Sequence, residues 1–239
     1  MQMKTSIVVF PGSSCDRDIE RAISETLNTQ VDMVWHEETT FSNDPDLVIL
    51  PGGYSFGGYL RSGAMAACSN IIEAIKTHAA KGKMILGIAN GFQILTEAQL
   101  LPGALIPNTS LTFICQKAYL RVEQTENMFT SDYKIGDVVQ FPIAHHEGLY
   151  FLPPSELKEL EDAGQVVFRY ADPVTGESGA EYALEGSLNG IAGICNKKGN
   201  ILGLMPHPER ATFKHLNGGV DGIAFWKSIA KAFGERGGF

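Results

Sequence analysis

Cysteine is scarce and poorly spaced for metal or disulfide chemistry. The thiols of Cys15, Cys68, Cys115 and Cys195 form neither a C-x-x-C pair nor a zinc-finger pattern. That usage fits a reducing compartment, and the expected location is the cytoplasm. Long apolar runs are also missing: the longest are roughly four to six residues, too short to cross a bilayer. Lys4 is followed at once by a short strand-like segment, so no leader is expected either. Basic side chains are outnumbered, 19 against 27 acidic, and the net charge of -8 disfavours broad attraction to phosphate backbones or anionic lipid. Neither nucleic acid nor membrane is expected as a partner.

What remains is a chain of 239 residues, 44% hydrophobic, long enough to bury about 70% of its unfolded surface in a core that needs no staples. Short β-branched runs alternate with helical periodicity. Ser6 to Phe10 reads as a strand that stops at Pro11-Gly12-Ser13-Ser14, after which Asp16 can cap a helix with Ile19, Ile23 and Leu27 on its apolar face. Val31 to Trp35, Asp46 to Leu50 and Met84 to Ile88 read as further strands, with helices over Ile71 to Ala79 and through Phe92, Ile94 and Leu95. Continuous apolar strands separated by helices imply a mostly parallel sheet covered on both faces.

From about 101 to 190 the helical signal thins. Alternating stretches at Tyr119 to Glu123, Val138 to Ile143 and Val166 to Tyr170 suggest peripheral β structure, with one short helix over Ser155 to Leu160. The parallel pattern is expected to resume at Ile191 to Cys195 and Ile201 to Met205, before a last helix carrying Ile223, Trp226, Ile229 and Phe233. No linker divides the chain, so one α/β domain over 1–239 is expected, β-rich around 101–190.

Three segments at expected strand ends could carry chemistry. Gly87-Ile88-Ala89-Asn90-Gly91 has the glycine spacing of a nucleophile elbow, yet its centre is Ala89, which has neither a lone pair to attack with nor a proton to give. A tight strand-to-helix turn is the plain alternative. His207, in Met205-Pro206-His207-Pro208-Glu209-Arg210, sits at a strand's carboxyl end, where open α/β sheets keep their sites, and Glu209 is spaced to reach its far ring nitrogen. An incidental loop histidine is the alternative there. Pro51-Gly52-Gly53-Tyr54 can aim backbone N–H groups at an oxyanion, or be an ordinary glycine turn. Together the three outline an acyl-transfer site with its nucleophile missing.

The segments PGG (51–53), GIANGFQ (87–93) and PHPER (206–210) resemble the three signatures of class I glutamine amidotransferases. The longer stretches VVFPGSSCDRD (8–18), GGYSFGGYLRSGAMA (52–66), NGFQILTEAQLLPGAL (90–105), IAHHEG (143–148) and GNILGLMPHPERA (199–211) are similar to the glutaminase-subunit family of phosphoribosylformylglycinamidine synthases. The resemblance implies a flavodoxin-like fold and a subunit that hydrolyses L-glutamine to glutamate and ammonia. The ammonia would pass to a separate synthase subunit that amidates formylglycinamide ribonucleotide in purine biosynthesis, commonly with a small third subunit. ATP and Mg would be used by that partner, and no cofactor or metal is implied here. Carried over by position, Ala89 stands at the nucleophile's place, His207 is the general base and acid, and Glu209 orients it. Gly53 and Asn90 supply the oxyanion hole, while Gly52 and Gln93 are substrate-side residues.

Three departures bear on this reading. The family has cysteine where Ala89 stands, so the chain is expected to be a nucleophile-to-alanine variant, catalytically inactive. Gly58 replaces the aspartate of the usual GDYLR, and His146 the first glycine of HGEG. Alternatives are a non-catalytic assembly subunit supporting ammonia-dependent synthesis, or an amidotransferase serving another synthase. Cys15 begins a helix, where a thiol is activated, but no His/Glu partner is assigned to it. His145, His146 and Glu147 are not expected to hold a metal, since neighbours on an extended segment point to opposite faces.

Overall fold

The computed structural model describes residues 2–27, 29–215 and 219–236. The chain runs β1 (Met3–Val9), α1 (Asp16–Thr26), β2 (Thr29–Trp35), β3 (Leu47–Leu50), α2 (Ile71–Ala80), β4 (Met84–Ile88), α3 (Asn90–Glu97) and β5 (Ala104–Ile106). It continues through β6 (Ile114–Val122), β7 (Val138–His145), β8 (Leu149–Phe151), α4 (Pro154–Asp162), β9 (Val166–Tyr170), β10 (Ile191–Cys195), β11 (Ile201–Leu204) and α5 (Gly222–Arg236). A nine-stranded sheet in the order β2-β1-β3-β4-β11-β10-β9-β6-β7 forms the centre, and β5 pairs with β8 beside it. This is the expected α/β, flavodoxin-like architecture, flanked by helices.

The sheet is mixed. Strands β2, β1, β3, β4 and β11 are mutually parallel, whereas β10, β9, β6 and β7 add antiparallel steps. The expectation that Ile191 to Cys195 resumes the parallel pattern is therefore corrected. Only residues 196–200 join β10 to β11, and a parallel pair needs a crossover of a dozen residues or more. The parallel strands β3, β4 and β11 are buried along their whole length, the pattern of strands covered on both faces. No helix among the described residues is long and apolar enough to cross a membrane.

Parallel strands put their carboxyl ends at one edge, so the segments after β1, β3, β4 and β11 meet there. Four successive antiparallel steps from β11 restore the same direction in β7, whose end at His145 turns toward that edge. The turn after β11 is tied to β7 by a hydrogen bond from His207 N–H to Pro142 O, 2.8 Å.

Away from that edge, Glu185 is fully buried, accepting from the Ser187 hydroxyl at 2.7 Å while its Oε2 has no partner. Burial pushes its carboxyl up from 4.5 to about 7. Because the folded pKa is raised, its contribution to stability is complete below pH 4.5 and is lost as pH rises through about 7. Glu185→Gln removes the buried charge and should stabilise the fold by on the order of 2 kcal/mol at pH 8, but little at pH 4.5. Thermal or urea unfolding at the two pH values measures the difference.

Candidate active site

The turns after β1 and β3 are stitched together. Ser14 N–H and Cys15 N–H both donate to Gly52 O at 3.2 Å, Tyr54 N–H donates to Gly12 O at 2.9 Å, and Ser13 bridges to Gly53. Gly53 adopts φ 142, open only to glycine at this close approach: an added Cβ would lie 2.6 Å from Gly12 O and Ser14 N. This register uses Gly52 O and Tyr54 N–H, on either side of Gly53, and not Gly53 N–H.

After β4 the chain makes the sharp elbow. Ala89 holds φ 50 and ψ -107, a conformation costly for a residue with a Cβ, and α3 starts at Asn90. The first N–H groups of a helix have no intrahelical acceptor, so Asn90 N–H is free to bind an anion beside Ala89. Gly91 lets α3 lie directly on β3, since a Cβ there would collide with Leu50 O. Asn90 Oδ1 accepts from Ser55 N–H at 3.1 Å, and its Nδ2 donates to Gln93 Oε1 at 2.8 Å. Gln93 Nε2 in turn donates to Glu147 O at 2.6 Å. Gln93 thus clasps the 145–148 loop to the elbow helix, and Glu147 Oε2 accepts from Ser62 N–H at 3.0 Å.

After β11, His207 and Glu209 are buried at 2% and 1% exposure, with Nδ1 and Oε1 2.6 Å apart. Pro208 to Ala211 form a short 3-10 turn that begins directly after His207 and carries Glu209. Burial works against a charged imidazole, but the carboxylate of Glu209 and the bonds from Cys15 and Glu209 outweigh it and push His207 up to about 9. His207 Nε2 is buried without a hydrogen-bond partner of good geometry.

Beside this pair stands a thiol. Cys15, 3% exposed, sits immediately before α1, and its Sγ lies with a ring nitrogen of His207 and a carboxylate oxygen of Glu209 within 4.8 Å of one another. Arg210 Nη2 donates to the sulfur at 3.2 Å, and Asp18 Oδ2 accepts from Arg210 Nε at 3.1 Å. The expectation of a site without a nucleophile is thereby overturned. Cys15, His207 and Glu209 make a complete nucleophile, base and orienter, so Ala89 does not leave the chain without a nucleophile. The reading as an inactive nucleophile-to-alanine variant falls with it. So does the alternative of a non-catalytic assembly subunit, and so does the assignment of no His/Glu partner to Cys15. The physical reason is topological: β1 lies beside β3 in the sheet, so the turn after β1 belongs to the same edge as the other three.

Gly52 allows the thiol and imidazole to approach. A Cβ at this position would lie 2.8 Å from His207 Cε1, 3.0 Å from Cys15 Sγ and 3.5 Å from the methyl of Ala89. Gly52→Ala should wedge the pair apart and lower kcat by about 100-fold while leaving the fold cooperative, because misplacement on the order of 1 Å costs that much. Steady-state kinetics on the substrate implied by the resemblance, beside circular dichroism, test this.

Cys15 and His207 line a cavity of about 640 Å³, with Ala89, Asn90, Gln93, Glu147 and His145 also on its walls. His146 lines it too. Gly58 adopts φ 64, and a Cβ there would collide with the Tyr54 ring, so a side chain would displace the tyrosine. Among the described residues, Cys15, His207 and Glu209 are also the one cluster compact enough to hold a metal ion. The short Nδ1–Oε1 contact, however, links two of the three in series rather than converging them on an ion. His145, His146 and Glu147 form no such cluster.

An elbow, a turn of paired glycines and a Cys/His/Glu set at the carboxyl edge of an α/β sheet define an amidotransferase-type acyl-transfer site. In sequence the chain belongs to the family of CobB/CobQ-like glutamine amidotransferase domains, which it matches over residues 2–226. It is 50% identical over 227 residues to the phosphoribosylformylglycinamidine synthase subunit PurQ of Trichormus variabilis, covering 95% of this chain and 96% of that one. To the subunit of the same name from Aquifex aeolicus it is 48% identical, covering 95% and 99%. A chain in the structure of PurLQS from Thermotoga maritima superposes with a TM-score of 0.85 at 39% identity, covering 98% of this chain and all of that one.

Proposed function

We propose that this chain is the glutaminase subunit of a phosphoribosylformylglycinamidine synthase, releasing ammonia from L-glutamine for a synthase subunit that works with a small third subunit. The observation that carries the reading is the Cys15–His207–Glu209 set against Gly52, in a chain about half identical to PurQ subunits along nearly its whole length. The Thermotoga maritima structure, named PurLQS, supports the partner assignment. Binding of ATP and Mg is assigned to the synthase partner, no cofactor or metal to this chain, and the cytoplasm is the compartment in which the complex works.

His207, raised to about 9, takes the proton of the Cys15 thiol and holds it on the imidazole facing the sulfur. The Cys15 sulfur attacks the glutamine carboxamide carbon, a C–S bond forms, and the carbonyl electron pair moves to oxygen. Gly53 N–H and Asn90 N–H receive that oxyanion. His207 then gives its proton to the amide nitrogen, the C–N bond breaks, and ammonia leaves a γ-glutamyl thioester on Cys15. A water molecule, deprotonated by His207, attacks the thioester carbon; glutamate departs, restoring the sulfur anion and the imidazolium. Arg210 and Asp18 hold the sulfur in place, and Gln93 keeps the 145–148 wall against the elbow.

Glutamate release from L-glutamine is the test, in the assembled complex with formylglycinamide ribonucleotide, ATP and Mg. The proposal expects glutamate and the amidated nucleotide in equal amounts. Synthesis with ammonium but none with glutamine would contradict it.

A further inference from the structure

A second histidine in the cavity has no part in the mechanism above. His145, at the end of β7, is 4% exposed and lines the cavity with His207, and its Nε2 is buried with no hydrogen-bond partner. Its tautomer follows from Asn108. The Asn108 Nδ2 donates to two carbonyls, Thr112 O at 2.9 Å and His145 O at 3.0 Å, while Oδ1 accepts from Gly148 N–H at 2.9 Å. These three bonds fix which end of the amide is oxygen, and that oxygen lies 3.2 Å from His145 Nδ1. Nδ1 is therefore the protonated nitrogen, and Nε2 carries a lone pair. Gly148 seats the ring: a Cβ there would collide with it. Burial and the nearby His207 hold the imidazole down at about 4, so it remains a neutral acceptor at working pH.

The site thus holds two imidazoles of opposite character. We infer that His145 is a further catalytic residue, whose Nε2 accepts one N–H of the substrate's amide nitrogen and turns that nitrogen's lone pair toward the His207 proton. The inference rests on the glutaminase reading and deepens it. In the tetrahedral intermediate the nitrogen carries two N–H bonds and one lone pair, and it can leave only when the lone pair meets the acid. An acceptor that takes an N–H removes the unproductive rotations. An ester leaving oxygen has no hydrogen to give and needs no such acceptor, so the residue distinguishes amide from ester.

The experiment compares hydrolysis of L-glutamine and of L-glutamate γ-methyl ester by the assembled complex. His145→Asn keeps a donor for Asn108 but withdraws the acceptor from the cavity; His145→Gln extends an acceptor back toward the Nε2 position. The expected result is a fall of about 30-fold in kcat for glutamine in His145→Asn, with the ester rate within threefold of the unmodified complex and partial recovery for glutamine in His145→Gln. Equal losses on amide and ester, or no loss on the amide, would overturn the role. Failure of the unmodified complex to hydrolyse either substrate would overturn the glutaminase reading and the inference with it. Hydrolysis of the ester but not of glutamine by the unmodified complex would likewise overturn both.

Discussion

Cys15→Ala should abolish glutamine-dependent synthesis, by at least about 1,000-fold, while leaving the ammonium-dependent reaction of the same complex intact. The covalent route disappears with the sulfur, and what remains of the site can only polarise a carbonyl and hold water nearby. The structural cost is small. Cys15 is a small buried residue, and removing one sulfur from it costs about 1 kcal/mol of burial. The variant keeps the hydrogen bonds of the 11–15 turn, which are made by backbone atoms of Ser14 and Cys15 to Gly52. Ammonium-dependent turnover therefore reports an assembled complex, and its persistence separates lost chemistry from lost folding. Cys15→Ser should behave almost as badly, because a hydroxyl holds its proton far more tightly than a thiol.

The second large effect is expected at Glu209. Glu209→Gln preserves the size of the side chain and a hydrogen bond to His207, but removes the charge that keeps the buried imidazole protonated. Burial then acts unopposed by that charge, and the His207 pKa falls from about 9. Glutaminase activity should drop by about 1,000 to 10,000-fold, the scale seen when the orienting carboxylate of a hydrolytic triad becomes an amide. The sign of the pH dependence follows. In the unmodified enzyme the leaving nitrogen is supplied with its proton until pH rises through about 9; in Glu209→Gln the falling limb should move to lower pH. A profile of kcat between pH 6 and 10 measures both, and an unmoved limb would place the titrating group elsewhere.

Much of the site is legible in strand ends. His207, Glu209, Gly53 and the Ala89 elbow can each be read from a short apolar run followed by glycine or proline, because the parallel strands that precede them are continuous hydrophobic segments with abrupt stops. Cys15 follows a stop of the same kind, Pro11-Gly12-Ser13-Ser14, yet its partners are 192 and 194 residues away in sequence. Only the strand order, with β1 inserted between β2 and β3, reveals that its turn shares their edge. Direction is similarly hidden in β10, whose apolar residues fit a parallel or an antiparallel strand equally well; the short link to β11 decides it. His145 gives weaker notice still. Its role depends on an acceptor orientation set by Asn108 across 37 residues, and no periodicity records that.

The central claim is that the sulfur of Cys15 attacks the carboxamide. The most direct measurement is covalent capture: incubate the assembled complex with a diazoketone analogue of glutamine and locate the adduct by peptide mass spectrometry. The account predicts stoichiometric modification of Cys15, protection by L-glutamine, and no modification in Cys15→Ala. Absence of an adduct on Cys15, with capture appearing only after Ala89→Cys places a thiol at the elbow, would contradict it.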